Sequence, residues 1–199
     1  MHSETNKGFT LIEISLVLVI IGLLLGGVLK GSEMIENAKI NRVMSDQEEV
    51  RVIMYAFQDR HNALPGDFEN ADEVLNLNGV NGNGDSIIEG AWNSTNNADE
   101  SRKMWLHMRA SGFISGNTTT YTQPQNSFDG IIGVETDTFG MQGHIICMSN
   151  VPRDVAIGID SKHDNGRTQD GRIRSGNTDT GSNAIPALTN ERVFICFAE

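Results

Sequence analysis

Residues 7–13 read Lys7-Gly8-Phe9-Thr10-Leu11-Ile12-Glu13, and an almost unbroken apolar run follows to Leu29. A short polar leader ends in a glycine. One carboxylate, Glu13, then interrupts a segment long enough to span a bilayer. An ionisable group inside such a segment is costly, so it needs a partner and a task. A cleavable secretory signal fits poorly. The charged region is weak, the apolar run exceeds the usual length, and no small-residue cleavage site follows it. A plain signal anchor with an accidental acid is the alternative.

The motif Lys7–Glu13 closely resembles the type III signal of type IV pilins and type II secretion pseudopilins. The resemblance implies that a prepilin peptidase cuts between Gly8 and Phe9 and methylates the new amine of Phe9. It implies that Glu13 neutralises the terminal amine of a neighbouring subunit during assembly. Elementary electrostatics agrees. A buried carboxylate without a partner takes up a proton or draws in water, and an ammonium removes both costs. The expected division is a leader at 1–8, a transmembrane or filament-core helix at 9–30, an amphipathic half of the same helix at 31–62, and a globular head at 63–199. The expected fold class is α+β, the pilin fold: a long N-terminal helix packed on a C-terminal antiparallel sheet.

The chain beyond the motif supports that organisation. Residues 9–62 contain no proline. At 1.5 Å per residue one helix over them would run about 80 Å. Phe9–Leu29 is apolar nearly all round, whereas Ile35, Val43, Val50, Ile53 and Phe57 fall near one face of the second half. Many major pilins carry a proline in this helix. Here Gly26-Gly27-Val28-Leu29-Lys30-Gly31 stands instead, which speaks against a major subunit. Those glycines either soften the helix or permit close helix packing.

From Pro65-Gly66 to about Asn97 the chain is dense in Asn, Gly and Asp, the chemistry of turns, with a short helix expected near 69–75. A second helix is expected over Ala98–Ser111, with acids in its first turn and Gly112 as a stop. Strands are expected at Ile131–Glu135 and Gly143–Ser149, a helix from Pro152 to His163, and strands at Arg172–Ser175 and Arg192–Ala198.

The 199 residues carry a net charge of −11, a poor balance for a nucleic-acid binder. Glu4 and Lys7 cancel, so removal of the leader leaves that charge unchanged. Arg167, Arg172 and Arg174 form a small basic group, read as a solvated loop and strand edge. The two cysteines, Cys147 and Cys196, sit in strand-like apolar contexts. In an oxidising periplasm a bridge between them is favoured and would contribute about 4 kcal/mol; two buried thiols are the alternative. A bridge also matches the C-terminal disulfide loop of many type IV pilins.

Two segments have the oxygen-rich spacing of calcium loops. Asn81, Asn83 and Asp85 alternate, with Glu89 beyond them, although Ser86 stands where a glycine is expected. Asp160 and Asp164 form the second candidate set. Each is otherwise a turn or a cap. No cofactor other than calcium is expected. The five histidines show no metal-binding spacing, and no nucleophile elbow, Walker loop or dinucleotide fingerprint occurs, so no enzyme is expected.

The function expected is therefore a structural, non-catalytic subunit, minor rather than major, of a type IV pilus or related filament. Its expected partners are other pilin subunits, the prepilin peptidase and the inner-membrane assembly platform. Before assembly the head would be periplasmic and the helix in the bacterial inner membrane; afterwards the filament would be periplasmic or extracellular. A type II secretion pseudopilin, or a membrane-anchored module for DNA uptake or adhesion, are the competing readings.

Overall fold

A computed structural model describes residues 10–177 and 188–198. Chain contacts divide the protein into two units, Met1–Lys39 and Ile40–Glu199. Helix α1 runs Leu11–His61 and supplies residues to both. Proline-free sequence explains why it is not broken, since nothing removes a backbone donor along it.

Within the second unit, α1 is followed by α2 (Ala71–Val74), α3 (Glu100–Ala110), β1 (Ile132–Thr136), β2 (His144–Pro152), α4 (Arg153–His163), β3 (Ile173–Gly176) and β4 (Arg192–Ala198). The four strands form one antiparallel sheet in the order β1-β2-β4-β3. The expected α+β arrangement is present. Every expected helix and strand is found, with ends shifted by a few residues. Pro152, expected inside the start of α4, instead ends β2 and caps α4.

Both faces of the sheet are covered, which is why β2 and β4 read as apolar runs rather than as alternating strands. Ile146 and Met148 of β2 join Val193, Ile195 and Phe197 of β4 in the larger core, with Met104, Trp105 and Met108 of α3 and Val155 and Ile159 of α4. Ile145 and Cys147 face the other way, against Trp92, Phe139, Phe194 and Cys196.

From α1, the buried residues are Ile40, Val43, Gln47, Val50, Met54 and Phe57, alternately three and four apart, the spacing of one helix face. The expected face includes Ile35, yet Ile35 is 59 % exposed. It precedes Ile40, where the second unit and its cover begin. At the far end of α1, Phe57 lies among Phe68, Phe113 and His107, with ring centroids 6.1 to 6.5 Å away.

The rims of the sheet are partly occupied. On β1, the Ile132 N–H donates to Pro124 O at 2.9 Å and the Thr136 N–H to Ile88 O at 3.4 Å. On β3, only four residues long, the Ser175 N–H donates to Thr168 O at 2.8 Å.

Candidate processing and assembly site

Gly8 and Phe9 lie outside the described residues. At Thr10, the first of the described residues, the chain forms a reciprocal cap. Glu13 Oε2 accepts the Thr10 N–H and the Thr10 hydroxyl, each at 2.7 Å, while the Glu13 N–H reaches Thr10 Oγ1 at 3.4 Å. A hydroxyl residue followed three positions later by Glu is the capping box that satisfies free donors at a helix start. The pattern is legible in the sequence as Thr10-x-x-Glu13 but forms no part of the reading of Glu13 as an assembly residue. Both Thr10 donors fall on Oε2.

Glu13 is the one charged residue between Thr10 and Leu29. Every large apolar side chain in Leu11–Leu29 stays exposed, from 46 % at Ile21 to 88 % at Leu11. Helix α1 is long and apolar enough to cross a membrane, and its apolar stretch is not buried in the chain's own fold. An apolar surface of that extent calls for lipid or other helices.

Cys147 and Cys196 are directly opposite in the β2–β4 register and form a disulfide, with Cα atoms 4.1 Å apart. The bridge lies in the smaller core, wholly buried.

The glycine-rich excursion between α1 and α3 is held by α3 itself. Glu100, Lys103 and His107 stand at helical spacing along α3. Glu100 Oε1 accepts the Asn83 N–H at 3.0 Å and Oε2 the Glu89 N–H at 3.3 Å. Lys103 Nζ donates to Asn81 O at 2.8 Å. His107, fully buried, accepts the Gly66 N–H on Nδ1 at 3.0 Å, and its Nε2 lies 2.9 Å from Val80 O. The Nε2–H tautomer makes both contacts. Burial pushes the His107 imidazole down to about 4, against the pull of the Val80 carbonyl. Asp67 completes the clasp: Oδ1 accepts the N–H of Gly84 at 2.6 Å and of Asp85 at 3.1 Å, and Oδ2 that of Ser86 at 2.7 Å. Gly66 has no room for a side chain, since a Cβ there would come within 2.5 Å of Glu100 O.

The first calcium candidate falls on this loop. Asn81 Oδ1 accepts the Asp72 N–H at 2.8 Å. Asn83 Nδ2 donates to Asp85 Oδ2 at 3.0 Å and to Glu89 Oε2 at 3.4 Å. The carboxylates that converge are Asp67, Asp85 and Glu100, with one oxygen of each within 4.8 Å of the others. Two of these, Asp67 and Glu100, stand outside the sequence-derived set, because the chain that separates them from Asp85 hides the convergence. Burial raises the Glu100 carboxyl above its ordinary range, opposed by the Glu89 and Asn83 amides and reinforced by the Asp67 and Glu89 charges.

The second candidate closes the turn after α4. Asp160, fully buried, accepts the Gly166 N–H on Oδ1 at 2.8 Å. Asp164 Oδ2 accepts the Ile173 N–H at 2.9 Å and lies against Gly171, where a Cβ would collide with it. Burial raises the Asp160 carboxyl, against the Gly166 amide and with the Asp164 charge. The nearby arginines are engaged locally: Arg167 with Asp170 at 3.6 Å, and Arg174 with Phe139 O at 2.7 Å.

Comparison with known proteins places the recognisable signal at the amino terminus. Residues 5–29 match the family model of the prokaryotic N-terminal methylation motif. Neither the curated proteins nor the solved structures gave a match. The matched block holds the Gly8–Phe9 bond, Glu13 and the apolar stretch together, so this chain bears the prepilin signal of type IV pilin-like proteins and pseudopilins.

Proposed function

We propose that this chain is a structural subunit, a minor one, of a type IV pilus or related filament, assembled from the inner membrane once its leader is removed. One observation carries the reading: Glu13 is the lone charge in an exposed apolar stretch that lies within the matched prepilin signal. Cleavage after Gly8 frees the amine of Phe9. In the single chain Glu13 is satisfied by Thr10 through Oε2. Its other oxygen then takes the Phe9 ammonium of an adjoining subunit, and the apolar helices exchange lipid for one another. One apolar environment replaces another, so the transfer costs little. The head supplies a surface rather than a reaction. The Cys147–Cys196 bridge and the long excursion favour a pilin over a secretion pseudopilin.

The test is Glu13→Ala expressed in the native host. Leader removal should proceed, and the variant should be missing from sheared filaments and remain in the inner membrane. Equal distribution of variant and parent would favour a membrane-anchored module that never polymerises. Loss of secretion without surface filaments would favour the pseudopilin. Mature protein that retains residues 1–8 would overturn all three readings.

A further inference from the structure

The sequence holds four Asn-Gly pairs: Asn78-Gly79, Asn81-Gly82, Asn83-Gly84 and Asn165-Gly166. Such pairs share a chemical liability. The glycine nitrogen, unhindered by any side chain, can attack the asparagine Cγ. The reaction needs that nitrogen free and the side-chain amide able to swing onto it. The fold treats the four pairs differently.

Three are locked at both ends. The Gly82 N–H donates to Phe68 O at 3.0 Å, and Asn81 Oδ1 holds the Asp72 N–H. The Gly84 N–H is shared between Asp67 O and Asp67 Oδ1, and the Asn83 amide donates to Asp85 and Glu89. The Gly166 N–H donates to Asp160 Oδ1, while Asn165 Oδ1 accepts the Arg167 N–H at 2.8 Å and Nδ2 donates to Asp170. Asn78-Gly79 is the exception. Both residues are exposed, and a Cβ on Gly79 would meet nothing within 4 Å. Neither the Gly79 N–H nor the Asn78 amide has a hydrogen-bond partner among the described residues.

We propose that Asn78 is a spontaneous modification site, converted to aspartate and isoaspartate while the other three Asn-Gly pairs are protected by the fold. Gly79 N bonds to Asn78 Cγ, the Cγ–Nδ2 bond breaks, and the amide leaves as ammonia carrying the Gly79 proton. Water then opens the cyclic imide. Attack at Cγ gives aspartate, and attack at the backbone carbonyl carbon gives isoaspartate. Solvent water is the sole co-reactant. Each event adds a negative charge to a segment, residues 62–101, that already holds Asp67, Glu69, Asp72, Glu73, Asp85, Glu89, Asp99 and Glu100 and no lysine, arginine or histidine.

The experiment is incubation of the purified full-length protein in detergent at mildly alkaline pH, followed by peptide mapping with fragmentation that separates aspartate from isoaspartate. Asn78 should convert first. Asn81, Asn83 and Asn165 should lag by roughly tenfold or more, the factor set by breaking the hydrogen bonds that hold each pair. In urea the four should converge in rate, and Gly79→Ala should slow Asn78 in the folded protein. Conversion of Asn83 or Asn165 as fast as Asn78 in the folded state would overturn the proposal. So would an Asn78 that converts in urea and stays intact in the fold.

Discussion

The Gly66 N–H donates to His107 Nδ1 at 3.0 Å, deep under the excursion, and this bond requires an unprotonated nitrogen. The imidazole is therefore held neutral, with its titration lowered from 6.5 to about 4 by burial. In the unfolded chain it takes up a proton near 6.5. Between these values the unfolded state binds more protons, so stability is complete above pH 6.5 and falls as pH drops toward about 4. His107 should contribute a loss of about 3 kcal/mol across that window. Glu100, Glu135 and Asp160, raised mainly by burial, act in the opposite sense. The contribution of His107 is isolated by comparing parent and His107→Gln in urea melts from pH 7 to pH 4. The variant should be less stable at pH 7 and show a flatter decline.

Asp67 holds three consecutive amides of the excursion, at Gly84, Asp85 and Ser86. Asp67→Ala leaves these donors without their acceptor and should cost roughly 3 kcal/mol. The specific readout is hydrogen exchange. Protection at 84–86 should vanish while that of β2 and β4 persists. Equal loss across the sheet would mean that Asp67 acts on the whole head rather than on the loop.

The buried Cys147–Cys196 bridge closes a loop with a sequence separation of 49. Removing it should destabilise the protein by about 4 kcal/mol in the chain-entropy account, and less where the unfolded chain keeps structure. Thermal melts of Cys147→Ala/Cys196→Ala against the parent measure this. Adding reductant should lower the parent's midpoint and leave the double variant's unchanged.

Gly133 sits in β1 where a Cβ would run into the Trp92 carbonyl oxygen, backbone rather than a yielding side chain. Gln123 Nε2 donates to that same oxygen. Gly133→Ala should therefore cost about 1–3 kcal/mol through overpacking. Denaturant midpoints check the cost. Near-ultraviolet circular dichroism of Trp92 should change along with it.

Elements with a strong period are legible in the sequence. The apolar stretch of α1, the runs of β2 and β4, and the first-turn acids and Gly112 stop of α3 each announce themselves in the local sequence. The face of α1 reads nearly in full. Ile35 joins it wrongly because a helical period says which residues align, not where the covering sheet stops. Gln47 escapes because a polar residue on a buried face has no sequence mark. The clasp of Asp67, Glu100, Lys103 and His107 on the excursion escapes for another reason. It joins residues up to 41 apart through backbone amides, and amides are the same in every sequence. Glu13 stands out by its isolation among apolar neighbours, while its bond to Thr10 is in plain view as a capping pattern.

The partly occupied rims of the sheet carry a last consequence. Where many heads crowd along a fibre, exposed strand edges would invite β-augmentation between neighbours, and register errors would freeze in. Here carbonyls from Pro124, Ile88 and Thr168 already meet the Ile132 and Thr136 amides of β1 and the Ser175 amide of β3. In the filament proposed above, heads insulated in this way would lie side by side without zippering, and the choice of neighbour would fall to the helices and to side-chain contacts that can be undone.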